Sequence, residues 1–137
     1  MAARPTDNPA AYDAYLRGLS SMLKAVNTPE NKVFAPAYFE RFKAYPDYFS
    51  DYGYVAARVL DEAIKATDGD TSNKDKLAEA MTKVKFDAPR GPFRMDPVTH
   101  NPIEDIHICQ VVEKDGKVTS KVITTFKDVQ DPGKKIF

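Results

Sequence analysis

Apolar side chains recur at three- and four-residue spacing through the first half of the chain and at two-residue spacing through the second. That change of period predicts helices followed by strands. Over residues 9–26 the stripe is Tyr12, Tyr15, Leu16, Leu19, Met22, Leu23 and Val26. Asn8 suits the N-cap of this first helix, and Pro9 suits its first turn, where a missing N–H costs nothing. Gly18 inside it weakens the helix by about 1 kcal/mol relative to alanine. Thr28-Pro29-Glu30 repeats the cap-then-proline signal and predicts a second helix through Phe34, Ala37, Tyr38, Arg41 and Phe42 to about Ala44. Pro36 lies too deep for an N-terminal proline, so a kink or a late start is expected there. Tyr45-Pro46 breaks the chain, because a residue preceding proline is driven out of the helical region.

A third helix is predicted from Asp47 to Thr67, with Tyr48, Tyr52, Val55, Ala56, Val59, Leu60, Ala63 and Ile64 as its stripe. Asp68-Gly69-Asp70 ends it at a glycine fit for a left-handed cap. Ser72-Asn73-Lys74-Asp75 has the form of a capping box and opens a shorter helix through Leu77, Ala80, Met81 and Val84. Beyond Phe86 the period is two. Phe93 and Met95 flank Arg94, a polar loop runs from Asp96-Pro97 to Asn101-Pro102, and Ile106, Ile108, Gln110 and Val112 alternate along a strand. Asp115-Gly116 is a two-residue hairpin signal, returning the chain through Val118, Val122 and Phe126. The expected class is α/β: three to four helices, then a three-stranded antiparallel meander. So small a sheet offers little apolar area to amphipathic helices. Two readings stay open: helices that pack on a sheet outside this chain, or a compact domain whose helices mostly cover one another.

Composition narrows this picture without redirecting it. The chain has 137 residues, room for one domain, and is 42% hydrophobic and 29% charged, which argues against disorder. Twenty basic side chains balance twenty acidic ones, so the electrostatic footprint of a nucleic-acid binder is missing. No apolar run approaches the roughly 20 residues of a membrane helix. The first residues carry no apolar signal-peptide core, so a cytoplasmic product is expected if the chain is expressed as it stands. The single cysteine, Cys109, has no internal disulfide partner and leaves the redox compartment open. Most of the tyrosines and phenylalanines fall between Tyr12 and Tyr54.

Candidate chemistry is sparse. Asp105, His107 and Cys109 stand two residues apart, in a row on one strand face, and such a row does not converge on a tetrahedral metal. No metal or cofactor is therefore expected. Nothing around Cys109 marks a lowered thiol pKa or an orienting base. Asp47 and Asp51, four apart, are read as N-terminal carboxylates favoured by the helix dipole rather than as an acid–base pair. Pro89-Arg90-Gly91-Pro92 has too few amides to cradle a phosphate. The cluster Tyr45, Tyr48, Phe49, Tyr52 and Tyr54 is the feature best suited to a ligand cleft, and helix packing is its competing explanation. No enzymatic constellation is present in the sequence.

The order of motifs resembles a known family. Asn27-Thr28-Pro29-Glu30-Asn31-Lys32-Val33-Phe34 is followed by Tyr45-Pro46-Asp47-Tyr48-Phe49-Ser50-Asp51-Tyr52-Gly53-Tyr54-Val55-Ala56-Ala57. Val59-Leu60-Asp61-Glu62-Ala63-Ile64, Lys76-Leu77-Ala78-Glu79-Ala80, Pro89-Arg90-Gly91-Pro92-Phe93-Arg94-Met95-Asp96 and the turn at Asp115-Gly116-Lys117 come next. Together, over about residues 27–133, they resemble the carboxy-terminal part of type I solute-binding proteins of the branched-chain amino-acid kind, the extracytoplasmic components of ABC importers. The resemblance implies a periplasmic protein in which two α/β lobes close on an amino acid or similar small polar solute and deliver it to a permease. It implies no catalysis and no cofactor, and main sheets lying upstream of this chain. By position it places ligand contacts at Phe49 and Tyr52. Pro36 departs from the family's pattern. Residues 4–18 resemble instead the lead-in of tetratricopeptide-containing regulatory proteins, so residues 1–26 are set apart from a family segment at 27–137. The alternative expectation is a truncated or fused remnant that serves as a protein-interaction or self-association module through its exposed helix faces.

Overall fold

The computed structural model describes residues 7–13 and 22–132. Residues 9–13 are helical (α1), and α2 (Met22–Ala25) follows. The middle of the predicted first helix, with Tyr15, Leu16, Gly18 and Leu19, lies outside the described residues. Asn8 caps as expected, its side-chain oxygen accepting from the Ala10 and Ala11 amides.

The long helices begin where their caps lie. In α3 (Pro29–Phe42) the Thr28 hydroxyl accepts from the Asn31 amide, Pro29 occupies the first turn, and Lys43 closes the helix in the left-handed region at φ 54°. The expected late start at Pro36 is not found; the helix runs through that proline. Asn31 is buried, and its amide donates to the Leu23 and Val26 carbonyls, tying α2 to α3. α4 (Tyr48–Ala66) has Asp47 as its N-cap, accepting from the Ser50 amide at 2.9 Å. α5 (Lys74–Thr82) is capped by Asn73 and not by Ser72, so its start falls one residue later than the box suggested.

Four strands follow instead of the expected three: β1 (Lys85–Ala88), β2 (Gly91–Met95), β3 (Pro102–Lys114) and β4 (Lys117–Val129), antiparallel in sequence order. The sequence reading missed β1 because four residues with two apolar side chains, Phe86 and Ala88, are too short to display a period. What makes it a strand is the two-residue turn Pro89-Arg90, which pairs Ala88 with Gly91 and Phe86 with Phe93. Gly91 has φ 129°, a conformation open to glycine alone. The hairpin at Asp115-Gly116 has both residues at positive φ, 53° and 72°, as a type I′ turn requires.

The core lies where α4 and α5 meet β1 and β2. Val55, Val59 and Ala63 of α4 pack with Val84, Ala88 and Phe93, and Leu77, Ala80, Met81, Phe86 and Met95 close the edges. Arg58 lays its guanidinium 4.1 Å from the Phe86 ring and donates to the Asp87 carbonyl at 3.1 Å. β2 pairs with β3 only over Pro102–Glu104, so most of β3 and β4 forms a two-stranded ribbon. This is a partial α/β fold, in which Phe42, Tyr45, Phe49, Ile123 and Phe126 remain exposed. Among the described residues, no helix is long and apolar enough to cross a membrane.

Candidate functional site

Every fourth residue of α4 from Asp51 is buried: Asp51, Val55, Val59 and Ala63. The sequence stripe was drawn from Tyr48 and Tyr52, which flank this line, and Asp51 was assigned to the helix dipole. The structure corrects that assignment. Asp47 is the dipole-facing cap, whereas Asp51 is fully buried and ion-paired with Arg90. Arg90 reaches it from the β1–β2 turn and holds Glu104 of β3 at 2.8 Å with its other arm. Three charges from three elements thus meet under the first turns of α4. Their sum is −1 when all are ionised.

The two carboxylates do not feel this environment alike. Burial pushes the Asp51 carboxyl above its ordinary value of 3.8, and the Arg90 charge opposes that shift without cancelling it. Although Arg90 Nε touches the Asp51 carboxylate, neither Asp51 oxygen nor Nε gains an aligned hydrogen bond there. Glu104, by contrast, accepts from both Arg90 and the Tyr52 hydroxyl. Tyr52 in turn accepts from the Tyr48 hydroxyl at 2.5 Å, and the two rings meet edge to face at 4.2 Å. The guanidinium lies 4.1 Å from the centre of the Tyr52 ring and 5.4 Å from that of Tyr48. Burial above all drives the Tyr52 hydroxyl up to about 12, so it stays protonated at any physiological pH.

A cleft of about 240 Å³ opens beside this cluster. Met22, Leu23, Val26 and Ile106 form its apolar side, and Tyr48, Tyr52, Arg90 and Asp105 its polar rim. The volume is below the roughly 300–1,000 Å³ of ordinary ligand pockets, so only a small solute fits. His107 and Cys109 reach the floor from β3. His107 spans the site, with Nε2 2.7 Å from the Arg90 carbonyl and Nδ1 2.8 Å from the Thr125 hydroxyl. The carbonyl can only accept, so Nε2 carries the proton and Nδ1 accepts from Thr125. Burial raises the Cys109 thiol pKa, away from a reactive thiolate.

Of the two contacts expected by resemblance, Tyr52 lines the cleft. Phe49 stands 79% exposed, its ring 5.8 Å from Tyr48 and outside the cleft lining. Sequence reasoning missed Arg90, Glu104 and the role of Asp51. A signal for Asp51 was present, since it is four residues before Val55 on the apolar line. Nothing local marked Arg90 or Glu104, which lie 39 and 53 residues farther along the chain.

A family model described as periplasmic binding protein matches residues 3–117. The chain is 31% identical over 138 residues to Leu/Ile/Val-binding protein homolog 6 of Brucella abortus, covering 95% of this chain and 34% of that protein. An ABC transporter substrate-binding protein from Sphaerobacter thermophilus superposes with TM-score 0.73 at 34% identity, over 76% of this chain and 29% of that one. A solute-binding protein of an ABC transporter from Rhodopseudomonas palustris, solved with 3,4-dihydroxybenzoic acid, gives TM-score 0.72 at 34% identity, over 78% and 29%. The chain spans about a third of the length of these relatives.

Proposed function

The chain belongs to the family of periplasmic binding proteins, and we propose that it forms one part of the solute-binding component of an ABC importer. The solute is a small carboxylic acid, either an aromatic acid or a branched-chain amino acid, held without being transformed and handed, on the outer side of the inner membrane, to the permease that spans it. The observation that carries this reading is the cleft beside Tyr48 and Tyr52, apolar on one side and edged by hydroxyls on the other. Such a surface recognises a flat or branched apolar body with a polar end. Tyr52 forms its wall, and Phe49, edge-on to Tyr48, extends the aromatic surface toward solvent. Between the two classes, the aromatic one is favoured by the relative solved with 3,4-dihydroxybenzoic acid, and the amino-acid one by the name of the Brucella relative.

Binding by a single wall is weak, and an affinity of about 1 mM corresponds to only about 4 kcal/mol. Protein NMR at millimolar 3,4-dihydroxybenzoate, benzoate and leucine reads that range. Shifts of the Tyr52 and Phe49 ring resonances with one of them, lost in Tyr52→Ala, are expected. No shift with any of the three at 10-fold excess over about 1 mM sinks the proposal.

A further inference from the structure

The hydrogen bonds at the cleft rim have a direction, and that direction selects ligands. Glu104 is a carboxylate ion-paired to Arg90, so toward Tyr52 it can only accept. The single proton of the Tyr52 hydroxyl is therefore committed to Glu104. The proton between the two tyrosines must then come from Tyr48, which donates to Tyr52. Every proton of the relay points inward, toward the Glu104 carboxylate. Its outer end is the Tyr48 oxygen, on a side chain 46% exposed at the cleft rim, and what that oxygen still offers is lone pairs.

We propose that Tyr48 is a specificity-determining residue that accepts a hydrogen bond from the ligand, so that the site prefers solutes presenting a donor, a phenolic O–H or an ammonium, at this rim. This deepens the proposed function and rests on it for the identity of the solute. The charges under the rim act in the same sense. Arg90 is already shared between Asp51 and Glu104, the three groups sum to −1 when all are ionised, and Asp105 adds a further acidic side chain to the cleft lining, so the ligand's carboxylate is disfavoured at this end and its donor end favoured. Arg90 is thus a positioning residue for the tyrosines and not the anchor of an incoming anion.

Phenol and anisole separate the donor requirement from ring shape, because anisole keeps the ring and oxygen but has no proton to give. In NMR titrations followed at the Tyr48 ring, phenol is expected to reach half-shift at roughly a tenth of the anisole concentration, the worth of one hydrogen bond. Equal concentrations, or a preference for anisole, overturn the inference. The preference disappears in Tyr48→Phe. In Glu104→Gln, whose amide can donate to Tyr52, the relay is free to turn around and the preference shrinks or inverts; an unchanged preference there overturns the assigned direction. If either variant fails to fold, the phenol–anisole ratio of the unaltered chain still decides. A parallel comparison of 3,4-dihydroxybenzoate with benzoate keeps the two proposals apart. Acids that bind without regard to their hydroxyls sink the relay alone, whereas phenol discrimination without binding of any acid sinks the importer reading alone.

Discussion

The two ends of α4 share one buried line and use it oppositely. From Val55 onward the line meets Val84, Ala88 and Phe93, and the contact is apolar. One turn earlier the same line carries Asp51 into a three-charge cluster, with tyrosines beside it at the surface. Apolar burial is non-directional and contributes about 25 cal/mol per Å², so it fixes the helix on the sheet but tolerates small rearrangements. A buried charge is directional and costly unless paired. The polar end therefore sets where α4 begins relative to the β1–β2 turn and β3, and hence where Tyr48 and Tyr52 stand. The lesson is a division of labour along one helix, with stability at one end and placement of the cleft at the other.

Removing the anchor at each end tests that division most severely. Phe93→Ala is expected to cost about 3–5 kcal/mol in urea unfolding by cavity formation. Arg90→Ala is expected to cost a similar 3–5 kcal/mol by leaving the buried Asp51 and the partly buried Glu104 without a cation. The two differ with pH: the Arg90→Ala deficit shrinks as pH falls and the buried Asp51, whose carboxyl already lies above its ordinary value, takes up a proton, and the Phe93→Ala deficit does not. Equal pH responses would erase the distinction between the ends. Next in size is Gly91→Ala, at about 1–3 kcal/mol, because φ 129° is open only to glycine. It should also change the Tyr52 ring environment, since Arg90 is the preceding residue; an unmoved Tyr52 spectrum would mean the turn does not position the rim.

The smallest effects sharpen the contrast between two aspartates four residues apart. The Ser50 hydroxyl, then the Ser50 amide, hold Asp47 below its ordinary value of 3.8. Its stabilisation is thus present above the unfolded pKa and lost as pH falls through the folded one. Asp51 is raised, so its contribution is full below the unfolded pKa and lost as pH rises through the folded one. Stability measured as a function of pH on both sides of the ordinary aspartate value should therefore lose part of its acid-side fall in Asp47→Asn and part of its alkaline-side fall in Asp51→Asn. Slopes changing in the same direction would refute the assignment. Asp47→Ala, which also removes the cap, should cost about 1 kcal/mol.

Legibility followed the range of the interaction. The caps at Asn8 and Thr28, the third helix, read as Asp47 to Thr67 and found over Tyr48–Ala66, and the turn at Asp115-Gly116 were readable because each is written within a few neighbouring residues. So was the α/β class, carried by the change of period, and so was the family, carried by motifs in order. Strand β1 was hidden, because a short strand owes its existence to its partner. The Ser72 box failed because Ser72 turns back to bond Asp70 through its amide and hydroxyl, and Asn73, accepting from the Lys76 amide, starts α5 one residue later. At the cleft, the aromatic cluster was visible as a cluster, and Tyr52 was singled out by resemblance. Which faces of those rings are free, that Asp51 is buried, and that Arg90 and Glu104 complete the rim could be decided only by packing. A sequence displays period and local capping directly. The charge balance and hydrogen-bond direction at a site depend on residues such as Arg90 of the β1–β2 turn and Glu104 of β3, 2.8 Å apart, that only the tertiary fold brings beside Asp51 and Tyr52.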